Sequence, residues 1–319
     1  MPETIVRFRR RSSIARVSPA QPAKLGGFDT SRTSIRHQLN DLVSYRELIK
    51  LLTFNDVKLR YKGSILGFLW SLINPLLMMC VFYIVFIVLL PPSVDPNCSQ
   101  TPPVGASSVS IQAAQQCKIA HNYAPFILIG ILAWNFTAGS VMTGMHSLLH
   151  NASIAKKVYF PREVLTISAV LAQFVNYLLA LIPLTVVLLV SGLVPGRYAF
   201  ILPIIFLSHI LFLIGLAMIL SIAVLYFRDL AVIMEVVIQA WFFLSPVIYS
   251  MDQIYKDQAA IVYWLNPVAS YIQTYRTLLF FNYDPGFDFT LRTVLTGVIM
   301  FVIGYAFFMF KRKQIGEML

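Results

Sequence analysis

Long stretches without a charged side chain constrain this chain most. Ser64 to Leu90, Ala124 to Met145, Val164 to Pro195 and Tyr198 to Phe227 are uncharged throughout. Leu230 to Met251 holds Glu235 as its one acidic or basic residue, and Thr293 to Phe310 is again uncharged. A helix needs about 20 apolar residues to cross a hydrocarbon core of ~30 Å. The chain is 58% hydrophobic and 12% charged, whereas a soluble domain is about 25% charged. Too little polar surface remains to cover a water-soluble globule, and disorder needs the opposite composition. The expected fold class is an all-α integral membrane protein. Six transmembrane helices fall near 64–90, 124–145, 164–191, 199–227, 230–251 and 293–310. Pro183 and Pro246 predict local kinks.

Gln258 to Tyr275 is a seventh uncharged stretch, but Asn266-Pro267 interrupts it, and a residue before proline is biased away from helix. A seventh crossing would also place Lys311-Arg312-Lys313 outside. The region 252–290 therefore reads as two short, partly dipping helices on the outer side. Orientation follows from Lys and Arg, which favour cytoplasmic loops. Thirteen of the 25 lie before Ser64. Lys156, Lys157, Arg162, Arg228, Lys311, Arg312 and Lys313 join them on the inner side, leaving Lys118, Arg197, Lys256, Arg276 and Arg292 outside. Both termini are predicted to be cytoplasmic.

Residues 1–40 read as a basic, mostly disordered arm, although their Arg- and Ser-rich composition also suits a transit peptide. A solvated tail, a nucleic-acid site and a flank drawn to anionic lipid all produce such charge; beside a membrane the lipid reading fits best. Residues 41–62 place Leu42, Tyr45, Leu48, Ile49, Leu52 and Leu59 at helical spacing, with Arg46, Lys50, Lys58, Arg60 and Lys62 among them. That pattern suits a helix in the headgroup plane or one packed on a partner. Residues 91–123 form an outer loop with Cys98 and Cys117, on the side where a bridge persists. A disulfide there is worth about 3 kcal/mol in the chain-entropy model; two unpaired thiols are the alternative. Cys80 reads as a core residue.

Catalytic signals are sparse. No Gly-rich phosphate loop of the Walker type occurs. His146 and His150 share a helix face without further ligands, which argues against a metal site. Gly139-Ser140 with His209 is compatible with an intramembrane hydrolase, but a Gly-Ser pair in a membrane helix ordinarily serves packing. Glu235 sits close to Arg228-Asp229, as in an interfacial network rather than a proton relay. Gly63-x-x-x-Gly67 would permit close helix approach. With no charge at mid-membrane and no nucleotide site, the driving energy is expected from a separate ATPase. Aromatics such as Phe68, Trp70, Phe82, Tyr83, Trp241, Phe243 and Tyr249 fit an interfacial belt, a packed core, or a path along which sugar rings slide.

Three motifs carry a resemblance. Arg60-Tyr61-Lys62-Gly63-Ser64-Ile65-Leu66-Gly67-Phe68-Leu69-Trp70, followed by Asn74-Pro75, is the first. Lys156-Lys157-Val158-Tyr159-Phe160-Pro161-Arg162-Glu163 is the second. The third runs from Arg228-Asp229-Leu230 through Phe243-Leu244-Ser245-Pro246 to Leu265-Asn266-Pro267 and Tyr275-Arg276. Together they resemble type-2 ABC transporter permeases over 41–319, above all those exporting O-antigen-type polysaccharides and wall teichoic acids. The resemblance implies a homodimer around a channel, with two cytoplasmic ABC ATPase subunits carrying ATP and magnesium. It implies no cofactor, catalytic residue, metal or nucleic acid on this chain.

By the same resemblance, 41–62 contacts the ATPase, and Lys156, Lys157, Phe160, Pro161, Arg162 and Glu163 form the coupling segment. Spans one and five line the channel. Trp264, Asn266, Pro267, Tyr275 and Arg276 belong to outer gate helices within 252–283. The implied substrate is a lipid-linked glycan moved outward across the bacterial cytoplasmic membrane. Exporters of a small lipid or drug share the architecture. The arm of 1–40 and the long outer loop depart from the family pattern.

Overall fold

The computed structural model describes residues 45–89, 98–100, 108–153, 160–251 and 265–318. Within them the secondary structure is helical, with no strand. The arm of 1–40, the remainder of the outer loop, Lys156, Lys157, residues 252–264 with Trp264, and the Phe68 side chain lie outside the described residues.

The first helix, α1 (Arg46–Tyr61), carries Glu47 in its first turn and Lys58 and Arg60 in its last, which suits the helix dipole. Next comes α2 (Trp70–Tyr83), extended by a π-turn over Ile84–Leu89. This span begins six residues later than the apolar run. Gly63 and Gly67 adopt φ of +84° and +48°, a left-handed conformation that glycine takes without steric cost. Open space surrounds both glycines. They turn the chain between α1 and α2 and do not mediate the helix approach expected of them.

The outer loop contains a helix, α3 (Ser108–His121), which hydropathy alone does not reveal. One residue later α4 (Tyr123–His150) begins, and α5 (Glu163–Val190) follows. Each has 28 residues, about 42 Å, so both project beyond a ~30 Å core. A 3-10 turn at Arg197–Ile201 leads into α6 (Leu202–Tyr226).

The fifth apolar run yields a shorter helix than expected, α7 (Leu230–Leu244). Its 15 residues span about 22 Å. Ser245 is extended, at φ −98° and ψ 143°, because Pro246 disfavours helix in the residue before it. Among the described residues, five helices are long and apolar enough to cross a membrane, and α7 is a shorter apolar one. Then come α8 (Pro267–Arg276), a π-turn over Thr277–Phe281, and α9 (Phe287–Met318). Asn266 caps α8, its side chain accepting from the Val268 and Ala269 amides, with Pro267 at the first position where its missing N–H costs nothing.

The core is built on α4, most of whose residues are buried. Beside it, α6 and α9 touch along a seam of small residues. A side chain at Gly297 would meet Ser208, one at Gly215 would meet the Met300 and Phe301 backbone, and one at Gly304 would meet Gly215. Only small residues allow backbones so close, and in lipid that close packing supplies much of the association. Position numbers rise together along the seam, and the Tyr226 hydroxyl donates to the Gln314 side chain at its far end. The two helices are therefore parallel.

Candidate functional site

Four structural features bear on function, and the first lies around the α7–α8 reversal. Asn266 Oδ1 accepts from Trp241 Nε1 at 2.9 Å, and its Nδ2 donates to Ser245 Oγ at 2.8 Å and to the Leu244 carbonyl at 3.2 Å. Arg276 is 0% exposed. Its guanidinium donates to the carbonyls of Pro246, Val247 and Tyr249 at 2.6, 2.5 and 2.9 Å, and to that of Phe126 at 3.3 Å. It also lies 3.7 Å from the Phe126 ring centroid, a cation–π contact made stronger by burial. Among the described residues it has no carboxylate partner; the carbonyls after α7 hold it instead. Gly130 leaves the room, since a Cβ there would sit 2.5 Å from the Val247 oxygen and 2.8 Å from Arg276 Nη2. Asn266 and Arg276, with Pro267 at the start of α8, thus form one latch, while Tyr275 turns instead to His209.

Behind the latch, His209 stands between Thr137 Oγ1 and Tyr275 Oη, at 3.1 Å from each, and stacks on Tyr271 at 4.3 Å. Both ring nitrogens are engaged, and Ser140 Oγ is buried without a hydrogen-bond partner. The Ser–His contact that activates a serine nucleophile is missing, which removes the structural basis of the hydrolase reading. His146 and His150 stack on each other at 5.5 Å.

The second feature is the end of the helix bundle where α5 begins and α9 ends. Pro161 and Glu163 are buried and Phe160 packs against the core. Glu163 Oε1 lies 3.9 Å from Arg312 Nη1, and Arg162 Nη1 donates to the Arg312 carbonyl at 3.5 Å. The start of α5 is therefore tied to the end of α9. Nearby, α1 runs along the first half of α5. Thr53 Oγ1 donates to the Ser168 carbonyl, Arg60 Nη1 to Gln173 Oε1 at 3.0 Å, and Tyr61 Oη to Asn176 Oδ1 at 3.0 Å. Burial pushes the Asp56 carboxyl above the usual range, against the pull of Arg60 and His150. Arg46 and Lys50 pair with Glu47 at 3.5 and 3.1 Å, and Lys58 and Lys62 are exposed.

The third feature is aromatic. Phe82 stacks on Phe86 and Phe242, at 6.2 and 6.1 Å between centroids, and Trp134 meets Trp241 and Phe242 edge-on at 6.0 and 5.6 Å. Phe82 and Trp241 thus point into the chain. Tyr83 and Phe243 point out of it, Phe243 being 61% exposed, while Trp70 is about half exposed and borders a cavity at the start of α2. Tyr249 Oη donates to the Phe243 carbonyl at 3.3 Å. Most of the apolar surface of α2 and α7 faces outward with them, including Val81, Ile84, Val232 and Val236.

The fourth is a cavity of about 560 Å³ where the end of α1 and the start of α2 meet α4 and α5. Arg60, Trp70, Asn74, Asn135, Gln173 and Asn176 are among its lining residues. Sequence reasoning passed over Asn135, Gln173 and Asn176. Their signal was a side-chain amide within an otherwise apolar run.

Between α2 and α4, Cys98 and Cys117 are joined in a disulfide. The α3 helix it anchors reaches the segment after α8: Gln115 Nε2 donates to Tyr283 Oη at 3.2 Å, and Lys118 Nζ lies 5.4 Å from the Phe280 ring. Burial lowers the Lys118 ammonium below its ordinary value.

Comparison with known proteins agrees with this geometry. The chain is 29% identical over 274 residues to an O-antigen export system permease protein RfbA of Klebsiella pneumoniae, covering 86% of this chain and 95% of the relative. It is 27% identical over 281 residues to the protein of the same name from Myxococcus xanthus, covering 88% and 98%. A family model described as ABC-2 type transporter matches residues 47–280. With its long apolar helices and that match, the chain belongs to the ABC-2 type transporter family, a family of multi-pass membrane proteins.

Proposed function

We propose that the chain is the membrane-spanning permease subunit of an ATP-driven exporter that moves a lipid-linked polysaccharide, or a teichoic-acid-like polymer, outward across the bacterial cytoplasmic membrane. It works as a homodimer with two copies of a cytoplasmic ABC ATPase, which bind ATP and magnesium; this chain supplies no catalysis. The observation that carries the reading is the near end-to-end likeness to O-antigen export permeases.

The helix packing supports six crossings with both termini cytoplasmic. Because α6 and α9 are parallel, the chain between Phe227 and Gly286 makes a net passage across the membrane. The α7 helix and the α8 re-entry together supply it. The ends of α6 and α9 and the start of α5 share one side, as the Tyr226–Gln314 and Glu163–Arg312 contacts show. Cytoplasmic positive charge makes that side the inner one. In the working cycle, closure of the ATPase dimer pushes on the 147–163 segment and α1. The outward faces of α2 and α7 from two copies line the path that opens.

Reconstitution with the ATPase in vesicles tests the proposal. Lipid-linked polymer is expected to cross only with ATP and both subunits present, and Glu163→Lys should leave ATP hydrolysis running without export. Transport of small lipids or drugs in place of polymer would transfer the chain to the other branch of the family. Polymer movement by this chain alone would refute the scheme.

A further inference from the structure

The cavity between α1, α2, α4 and α5 is built unlike the rest of the membrane region. Amides inside membrane helices are costly unless something satisfies them, yet three helices each send one here: Asn74 from α2, Asn135 from α4 and Asn176 from α5. The side chains of Asn74 and Asn135 are exposed, line the cavity and have no hydrogen bond among the described residues. Asn176 accepts from Tyr61, but its own Nδ2 is buried without a partner. Gln173 is differently placed: it accepts from Arg60 and donates to Thr143 at 3.3 Å, and so braces the wall. Trp70, Phe136 and Tyr177 are among its apolar lining residues, with Pro75, Leu132 and Ala180, and no carboxylate among the described residues lines it.

We infer that this cavity, lined by one chain and open on one side, is a binding subsite for one or two sugar units of the substrate. Each free amide offers both a donor and an acceptor, which matches a hydroxyl-bearing ring. A hydrocarbon chain would leave those groups unpaired. Aromatic faces suit the apolar faces of a pyranose, and the absence of carboxylates with one arginine at the rim admits a neutral sugar or one bearing a single anionic group. The volume lies within the ~300–1,000 Å³ typical of small-molecule sites. The position beside Arg60, where α1 meets the first span, places the subsite toward the cytoplasmic side. The inference rests on the polysaccharide reading and adds to it a place where the glycan is first held.

Photo-crosslinking in polymer-producing cells tests it, using the assembled transporter and the cell's own polymer as probe. Benzoylphenylalanine at Ala138, in the cavity wall, is expected to yield adducts carrying a glycan ladder that glycosidase or periodate removes. The same probe at the outward-facing Val302 should yield none. Asn135→Leu is expected to reduce the Ala138-position glycan adduct about tenfold, the weight of one lost hydrogen-bond pair, and Asn135→Gln to recover part of it. Adducts at 138 bearing only phospholipid, adducts joining two copies, no adduct, or a yield indifferent to Asn135→Leu would each overturn the assignment. If the wild-type transporter exports polymer while 138 captures no glycan, the subsite alone is wrong. Where it exports no polymer, the functional reading fails and the subsite with it.

Discussion

Two apolar helices of this molecule, α4 and the span begun by α2, have opposite fates. In α4, 72% of the apolar window is buried within the chain, against 6% in Trp70–Leu89. The same contrast separates α5 and α6, packed on α4, and α9, packed on α6, from α7, whose one buried residue is Ile238. Composition does not explain the difference, because both groups are apolar. The block is joined by small-residue seams and buried hydroxyl and imidazole contacts, whereas α2 and α7 keep their greasy faces outward. Lipid tails are as apolar as leucine, so helices without such packing gain little from association. The block is a frame, and α2 with α7 is a wall attached to it, α7 mainly at its C-terminal end through Trp241, Asn266 and Arg276.

Substitutions can break this comparison in order of force. Gly304→Leu places a branched side chain against the Gly215 backbone and should cost about 3 kcal/mol or more, overpacking being at its worst where backbone must yield. Loss of the folded species in size-exclusion and thermal unfolding would show it; a tolerant protein would mean the seam is not what holds the frame. Arg276→Met strands four carbonyls and should cost about 2–3 kcal/mol. The frame should survive that change while a cysteine at Val247 gains reactivity toward a soluble maleimide. Equal labelling before and after would deny the latch. Smallest is Val236→Ala, on the exposed face of α7, which should move the unfolding temperature of the purified chain within the range of about 0.5 kcal/mol.

Much of the frame was legible because an uncharged run records the thickness of lipid it must cross. The starts of α4 and α5 lie within a residue of the apolar boundaries, and Asn266-Pro267 reads as a break in the helix, which the structure fills with the cap of α8. Less legible was anything that depends on a partner helix. Ser208 with Gly215, and Gly297 with Gly304, repeat at the same spacing of seven, but nothing in one run says it faces the other. Gly63 and Gly67 invite a packing reading until their dihedral angles show a turn. α3 is too polar to register as apolar periodicity. The cavity amides are single residues on three separate helices, and only folding makes them neighbours.

In the proposed export cycle, the wall moves against a fixed frame when nucleotide drives the partner ATPase. Spin-label distances within one chain of the assembled complex test it most directly. A frame pair at Val186 and Val302 is compared with a frame-to-wall pair at Val302 and Val236, all three being exposed positions. Between the nucleotide-free and ATP-trapped states, the second distance should change by about 5 Å or more, the scale of one helical step, while the first stays constant. Equal change in both pairs, or none in either, would contradict the division into frame and wall.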